Sequence, residues 1–196
     1  MTSISPLANI LEKGFYGAYE GKNENQLIKI KEIRNLLIFQ IVQYKSSKLK
    51  TQDIKIEDLS MSDDELKVIS NRETRILWNG PKNWLLVSKK NDLKENIKKT
   101  FNEKDFAVTD LSHSRTIIQI EGENSKEILK KGCPYNFNEL KKNMSINSVF
   151  NGITITIDML EESPKKIRIF TLRSFGESLF HSISDASLEY GFEIIE

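Results

Sequence analysis

The dipeptide Asn151-Gly152 constrains the fold of this chain more than any other feature of its sequence. Asn-Gly favours the tight turns that join two antiparallel strands. Apolar and polar residues alternate before this turn, up to Phe150, and after it, from Ile153 onward. Alternation with a period of two is typical of a strand with one buried face. A further turn segment containing Pro164 follows, so residues 144–173 are predicted to form an antiparallel meander.

The region around the single cysteine predicts a strand that leads into a short helix. By the period-2 rule, Thr116, Ile118 and Ile120 share one face of an extended segment. Asn124 and Glu127 have the spacing of a capping box, in which both side chains satisfy backbone N–H groups at a helix start. Gly132 is typical of the end of such a helix.

Helical periodicity is strongest in residues 90–101 and 174–190, where apolar residues recur every three or four positions. Ser174 and Glu177 predict the capping box of the second of these helices, and Phe175 is assigned to its apolar stripe. A further capping box at residues 62–65 predicts a short helix there.

Composition limits the classes of function. The chain has 196 residues and a formal net charge of +1, so its overall electrostatic field does not favour binding of nucleic acid. No apolar run approaches the roughly 20 residues of a membrane span. The first residues do not resemble a secretory signal. A single cysteine fits a reducing compartment, so a cytoplasmic location is expected.

Residues 1–32 are predicted to form an N-terminal docking arm, because three glycines interrupt any regular structure there. Phe15, Tyr16 and Tyr19 are concentrated in this segment. Aromatic residues on an arm without a core of its own favour docking onto another surface. The alternative is that the arm packs against its own domain.

Residues 33–196 are predicted to form a single α+β domain. Residues 33–44 are apolar on both faces, as expected of a central strand. Locally paired strands alternate with crossing helices along the rest of the segment. This order favours an antiparallel or mixed sheet with split β-α-β units.

The sequence offers little for catalysis. Ser112 and His113 are neighbours, but side chains of adjacent strand residues point to opposite faces, and no acid is evident to orient the imidazole. Lysines near Cys133 make it a candidate nucleophile, although a small buried thiol is the simpler interpretation. Two histidines and one cysteine cannot supply a zinc set, and no dinucleotide fingerprint is present.

Trp78 and Trp84 flank a predicted hairpin turn at residues 79–81. Two tryptophans beside a loop can stack on a ligand. They more often anchor a core or an interface, and that interpretation is favoured here.

Four motifs together resemble the gamma-subunit family of heterotetrameric sarcosine oxidase. They are L-W-x-G-P-x-x-W-L from Leu77, D-x-S-H-S-R-T from Asp110, K-G-C-P from Lys131 and R-S-F-x-E-S-L-F from Arg173. The family is similar in fold to the aminomethyltransferase (folate-binding) domain. Gly176 departs from the family's usual alanine, and a glycine there costs up to about 1 kcal/mol in helix propensity, which indicates a packing reason.

The resemblance implies a non-catalytic subunit in an oxidoreductase complex, with alpha, beta and delta subunits as partners and no active site in this chain. Such a complex oxidises sarcosine to glycine and forms hydrogen peroxide, with formaldehyde or methylenetetrahydrofolate as the one-carbon product. FAD, FMN, NAD and tetrahydrofolate would be held by the large subunits and zinc by the smallest, and this chain would bind no cofactor. The folate loop of aminomethyltransferases has paired glycines and paired acids, of which only Asp158 remains here.

The residues expected at the subunit interface are aromatic or cationic: Phe15, Tyr16, Tyr19, Trp78, Trp84, His113, Arg115 and Arg173. Among them, Arg173 is expected to donate two parallel hydrogen bonds to a partner's carboxylate. Three alternatives stay open. They are the homologous subunit of an N-methylglutamate dehydrogenase, a stand-alone folate-binding protein, and a small transferase that uses His113 or Cys133.

Overall fold

The computed structural model describes residues 4–195 and contains fourteen strands and three α-helices in that range. The strands are, in chain order, β1 (Gly14–Tyr16), β2 (Ile28–Glu32), β3 (Leu37–Gln43), β4 (Lys55–Ile56), β5 (Leu59–Ser60), β6 (Val68–Ser70), β7 (Thr74–Gly80), β8 (Asn83–Ser88), β9 (Phe106–Asp110), β10 (Arg115–Glu121), β11 (Ser145–Phe150), β12 (Ile153–Glu162), β13 (Lys165–Leu172) and β14 (Phe192–Ile194). The helices are α1 (Leu93–Thr100), α2 (Ser125–Lys130) and α3 (Gly176–Ser187).

The chain forms two compact units, where the sequence predicted an arm and a single domain. The described residues of the first unit are 4–34, 114–142 and 147–195. The second unit comprises residues 35–113 and 143–146. The division differs from the predicted one because the second unit is an insertion between strands β2 and β10, which are hydrogen-bonded neighbours in one sheet.

The first unit is built on a seven-stranded sheet with the order β1-β14-β2-β10-β13-β12-β11. Strands β14 and β2 pair in parallel, whereas the pairs β1–β14, β2–β10, β10–β13 and β12–β13 are antiparallel. Helix α2 packs against β13, and helix α3 packs against β10 and β13. Isoleucines on one face of the strands, including Ile30, Ile118 and Ile169, are fully buried. The α+β class with a mixed sheet is therefore confirmed.

The segment predicted as an arm contributes two strands to this sheet, and its residues 1–3 lie outside the described residues. Strand β2 alternates buried isoleucines with half-buried lysines, which is the period-2 pattern of a strand with one buried face. Leu7 is fully buried, and the Ser5 hydroxyl donates a hydrogen bond to the Glu32 carboxylate. The segment therefore packs against its own unit, which was the alternative interpretation from the sequence.

The predicted meander is confirmed, because β11, β12 and β13 are neighbours in that order in the sheet. Asn151 and Gly152 have φ angles of 47° and 82°, as a tight turn between antiparallel strands requires. Strand β12 extends to Glu162 and β13 begins at Lys165, so the second turn is limited to Ser163 and Pro164.

The predicted helix starts need correction. Asn124 precedes α2, but its side chain makes no capping hydrogen bond. Helix α3 begins at Gly176 after a 3-10 turn at Arg173–Phe175, so Ser174 lies too early to cap it. Phe175 is 46% exposed and does not belong to the buried stripe. The 3-10 turn changes the direction of the side chains before the α-helix begins.

Packing explains why position 176 holds glycine. A Cβ atom added to Gly176 would lie 2.5 Å from the Thr116 hydroxyl oxygen, and Thr116 is 1% exposed. We expect Gly176→Ala to lower the free energy of unfolding by about 1–3 kcal/mol, the usual cost of overfilling a packed site. In a Thr116→Ala background the same change is expected to be neutral or stabilising, because alanine favours helix formation. Chemical denaturation of the wild type, the two single variants and the double variant gives both values. Equal effects of Gly176→Ala in the two backgrounds would refute this explanation.

The second unit is built on a five-stranded sheet with the order β6-β7-β8-β3-β9. One face of β8 carries Trp84 and Leu86 into a core that also contains Phe39 and Ile76. Helix α1 closes this core with Leu93 and Ile97, as the helical periodicity of residues 90–101 predicted.

The short helix predicted to begin at the capping box of residues 62–65 and to include Leu66 and Ile69 is wrong, because the segment is irregular and leads into strand β6. The Ser62 hydroxyl accepts a hydrogen bond from the Asp64 backbone N–H at 3.1 Å, which competes with a helical turn. The Asp63 carboxylate is also occupied, since Thr51 and Lys82 both donate to it at 2.6 Å. Local and tertiary hydrogen bonds thus replace those of a helix.

Glu57 holds the small β4–β5 hairpin against the rest of the second unit. Its side chain is 2% exposed and accepts hydrogen bonds from Lys90 at 2.5 Å and Asn96 at 2.6 Å. The hydrogen bond from Lys90 lowers the pKa of the Glu57 carboxyl, although burial acts in the opposite direction. The ionised form of Glu57 is therefore the form that the folded unit favours.

Because the folded-state pKa of Glu57 lies below the unfolded one, its contribution is present above about pH 4.3 and is lost as the pH falls through the lower folded-state value. We expect Glu57→Gln to cost about 2 kcal/mol of unfolding free energy at pH 7, as for a lost hydrogen bond to a charged group. The cost should shrink in acid. Asp58→Asn, in the same turn but exposed, is the control. Denaturation curves at several pH values test this, and a cost for Glu57→Gln that does not change with pH would refute it.

Candidate subunit interface

Two clusters of exposed apolar side chains lie on the first unit. The first, called the arm patch, consists of Phe15, Tyr19 and Leu188. The exposed fractions of Phe15, Tyr19 and Leu188 are 47%, 38% and 44%. The two aromatic rings lie 5.9 Å apart, and the turn between them is held against Leu188 by a 2.7 Å hydrogen bond from the Ala18 N–H to the Leu188 carbonyl.

Tyr16 differs from the other two aromatic residues of the arm. Its ring stacks on Phe192 of strand β14 with centroids 5.2 Å apart, and its hydroxyl donates to the Glu12 carbonyl. Strand alternation explains the difference, since Phe15 and Tyr16 are consecutive in β1 and point to opposite faces. Tyr16 therefore attaches the arm to its own sheet, and Phe15 and Tyr19 offer exposed surface.

The second cluster, called the loop patch, surrounds a shallow depression where β10 begins and β13 ends. The depression is lined by Pro6, Ser114, Leu172, Arg173 and Ser174. The loop patch consists of these residues and Phe175, which follows Ser174 in the same 3-10 turn. Leu172 is 44% exposed and Phe175 46%. The Arg173 guanidinium donates a hydrogen bond to the Ile4 carbonyl, which places the start of the described chain beside the depression.

Arg115 lies beside the loop patch. It pairs with Leu172 across β10 and β13, so both side chains point to the same face of the sheet. Its guanidinium lies 3.4 Å from the carbonyl oxygen and from the hydroxyl of Ser114. Arg115 is half-buried, and burial lowers the pKa of its guanidinium. Among residues 4–195 no carboxylate forms an ion pair with it.

The structure gives Ser112 and His113 no catalytic arrangement. The Ser112 hydroxyl donates to the Asp110 carboxylate at 2.7 Å and accepts from the Ile38 N–H at 3.0 Å, so it holds the corner after β9 in place. His113 is exposed. Cys133 is buried, and its thiol donates to the Ser148 hydroxyl at 3.1 Å. In the described part of the chain no three potential metal ligands lie together.

Trp84 cannot serve as a contact residue, which corrects its assignment to the interface. It is 1% exposed in the core of the second unit, and its indole N–H donates to the Ser62 carbonyl at 2.7 Å. Trp78 is its cross-strand neighbour and is half-buried. The core interpretation of the tryptophans therefore holds for Trp84, and Trp78 retains part of its surface.

Sequence reasoning missed three apolar members of these patches. Phe175 was assigned to a buried helix stripe, and Leu172 and Leu188 were not singled out. All three lie at or next to 3-10 turns at the ends of strand β13 and helix α3, where the periodic patterns stop. An apolar residue just outside a periodic run is the signal that would have identified them.

Asp158 lies where a folate contact would be expected from the resemblance, but its side chain is fully buried. It belongs to strand β12 and pairs with Arg168 of β13, whose side chain donates to Gln119 of β10 at 3.3 Å. These residues form a polar row across the sheet. Asp158 does not line an open site, so its position does not fit a group that holds folate.

No helix of residues 4–195 has both the length and the apolar composition needed to cross a bilayer.

Comparison with known proteins places the chain in a family. A model described as "Sarcosine oxidase, gamma subunit family" matches residues 58–189. A curated relative, sarcosine oxidase subunit gamma from Corynebacterium sp. (strain U-96), is 29% identical over 120 residues. The match covers 60% of this chain and 58% of the relative, so the chain spans a little over half of that relative's length.

Two solved structures share the fold. A chain of heterotetrameric sarcosine oxidase from Corynebacterium sp. U-96, in complex with pyrrole 2-carboxylate, has a TM-score of 0.80, with 23% identity and 95% coverage of both chains. Aminomethyltransferase T of the glycine cleavage system from Bartonella henselae has a TM-score of 0.57 and 11% identity, with coverage of 82% of this chain and 46% of its own. The predicted aminomethyltransferase-like fold is confirmed.

Proposed function

Because the chain belongs to the sarcosine oxidase gamma subunit family, we propose that it is the non-catalytic gamma subunit of a heterotetrameric sarcosine oxidase. Its role is to support assembly with alpha, beta and delta subunits, without nucleic acid or membrane as a partner. The complex, which we expect in the cytoplasm, oxidises sarcosine to glycine and forms hydrogen peroxide. The one-carbon unit leaves as formaldehyde or as methylenetetrahydrofolate.

The family match carries this proposal, and the surface of the first unit supports it. The arm patch and the loop patch expose apolar side chains that a partner would cover. The candidate nucleophiles are Ser112 and Cys133, and each donates a hydrogen bond to another side chain of its own chain. A scaffolding role needs exposed contact surface and no reacting group in this chain.

We further propose that the cofactors belong to the partner subunits, with FAD, FMN, NAD and tetrahydrofolate on the large ones and zinc on the smallest. Burial of Asp158 supports the folate part of this proposal, because a carboxylate inside the sheet cannot reach a ligand without local unfolding. Equilibrium binding of tetrahydrofolate to the isolated chain tests it. Saturable binding would contradict the proposal and favour a stand-alone folate-binding protein.

The decisive experiment is to isolate the tagged chain from its native cells and identify by mass spectrometry what accompanies it. Two large flavin-containing chains and a small one are expected, and the preparation should be yellow. Peroxide production with sarcosine and with N-methylglutamate as alternative amines then identifies the substrate. Recovery of the chain alone and as a monomer would refute the subunit proposal. Faster peroxide production with N-methylglutamate than with sarcosine would show that the proposed substrate is wrong.

A further inference from the structure

We infer that the loop patch is a docking site for a partner-subunit segment that carries a carboxylate beside an apolar side chain. This inference rests on the proposed function, because it requires a partner. The inference goes beyond the proposed function because it states which surface of the first unit is used and which chemical groups the partner contributes. Arg115 is the residue that receives the carboxylate.

Arg115 carries the argument because its charge is only partly compensated. Its guanidinium is half-buried, and its hydrogen-bond partners among residues 4–195 are the carbonyl oxygen and the hydroxyl of Ser114, both 3.4 Å away. Bonds of this length are weak, and neither acceptor is charged. Removing a cation from water is costly unless an anion or several good acceptors replace the solvent. A carboxylate matches the planar fork of a guanidinium with two parallel hydrogen bonds.

The surroundings of Arg115 favour an apolar neighbour for that carboxylate. Leu172, which faces the same side of the sheet, is 44% exposed, and Phe175 is 46% exposed. Pro6 completes the apolar part of the depression. Apolar contacts around a charge pair exclude water and strengthen it. Ser114 and Ser174 also line the depression, and their hydroxyls add polar partners at its edge.

A protein segment fits this surface better than a small ligand does. Small molecules bind in concave sites that bury most of their surface. The depression beside Arg115 is shallow and open, and the exposed side chains around it are large. Aromatic residues and arginine are also the residue types enriched in the cores of protein interfaces.

The test replaces Arg115 with methionine, which keeps most of the apolar stem and removes the charge. Arg72→Met is the matched control, because Arg72 is exposed in the turn before β7. Affinity of each variant for the subunits recovered with the wild-type chain is measured at low and at high salt. Arg115→Met is expected to bind at least tenfold more weakly at low salt and to show a smaller salt dependence. Arg72→Met is expected to bind as the wild type does.

Stability separates a docking role from a structural one. If Arg115 awaits a partner, Arg115→Met should leave the thermal midpoint of the isolated chain unchanged or raise it. If Arg115→Met lowers the thermal midpoint and its affinity for the subunits falls to a matching extent, Arg115 has a structural role and the inference is overturned. Wild-type affinity of Arg115→Met would also overturn it and leave the proposed function intact. A wild-type chain that recruits no subunit would overturn both.

A second variant identifies the carboxylate directly. Arg115→Lys places an amine at the same point, and a carbodiimide joins an amine to a carboxylate that it contacts. Mass spectrometry of the treated complex should find a cross-link from position 115 to an aspartate or glutamate of a partner subunit. Cross-links confined to other lysines of the chain would contradict the inference.

Discussion

Replacing Gly17 with alanine is expected to lower the free energy of unfolding of the first unit by about 3 kcal/mol. Gly17 has a φ angle of 69°, which costs an alanine about 1–2 kcal/mol. Its added Cβ atom would lie 2.2 Å from the Leu188 carbonyl oxygen, a backbone atom that cannot rotate away. The turn must therefore move, and the hydrogen bond between Ala18 and Leu188 is lost.

Gly21 provides the matched control for this prediction. Its φ angle is 75°, but nothing lies within 4 Å of the position where a Cβ atom would be. Gly21→Ala should therefore show the backbone cost alone. Denaturant unfolding gives the two free energies, and hydrogen exchange of the β1 amides shows whether the arm detaches. Equal effects of the two substitutions would show that the contact with Leu188 contributes nothing.

Replacing Trp84 with alanine is expected to cost about 3–5 kcal/mol in the second unit, the usual penalty for truncating a buried aromatic residue. Trp84 is 1% exposed and is among the largest fully buried side chains. The truncation also leaves the Ser62 carbonyl without its hydrogen-bond donor. An effect of this size is a large fraction of the stability of an ordinary domain, so partial unfolding at 37 °C is expected.

Two further variants separate the causes. Trp84→Phe keeps most of the packing and should cost about 1–2 kcal/mol, chiefly through the lost hydrogen bond. Trp78→Ala, at the cross-strand neighbour, should cost less than Trp84→Ala because Trp78 is already partly exposed. Thermal unfolding measured by circular dichroism ranks the three tryptophan variants by their loss of stability. A smaller effect for Trp84→Ala than for Trp78→Ala would contradict the assignment of Trp84 to the core.

The parts of the fold that were predicted correctly depend on neighbours in sequence. The Asn151-Gly152 turn joins strands that follow each other directly, and the apolar positions of α1 recur within two turns. Such patterns reflect which face of a single element is buried, so the sequence of the element is sufficient. The predicted capping boxes failed because a side chain in the right position, such as Ser174, does not fix where the first helical turn begins.

The role of residues 28–32 was missed for the opposite reason. Isoleucine and lysine alternate there with the period of a strand, but the partners of that strand are β14 and β10, both far along the chain. A local pattern cannot show a distant neighbour, so the segment was grouped with a flexible arm. The insertion of residues 35–113 between paired strands was invisible for the same reason.

The sequence indicated which residue types to expect at an interface, but it did not show which of those residues are exposed. Phe15 and Tyr19 are exposed as expected, while Tyr16 and Trp84 are engaged with their own units. Aromatic residues serve cores and interfaces equally well, and only the tertiary packing decides between the two. The motif resemblance identified the family because it depends on several sites together rather than on the environment of one.

The position of β14 between β1 and β2 has a consequence for the order of events during synthesis of the chain. A ribosome delivers β1 and β2 more than 150 residues before β14, the strand that joins them. All five strands of the sheet in the second unit lie within residues 35–113, so that sheet can pair while translation continues. Strand β2 can pair with β10 during translation, but β1 and the other edge of β2 stay unpaired until residues 192–194 have emerged. Nascent chains stalled before residue 192 should therefore protect the second unit from protease and leave residues 14–16 of β1 open to cleavage.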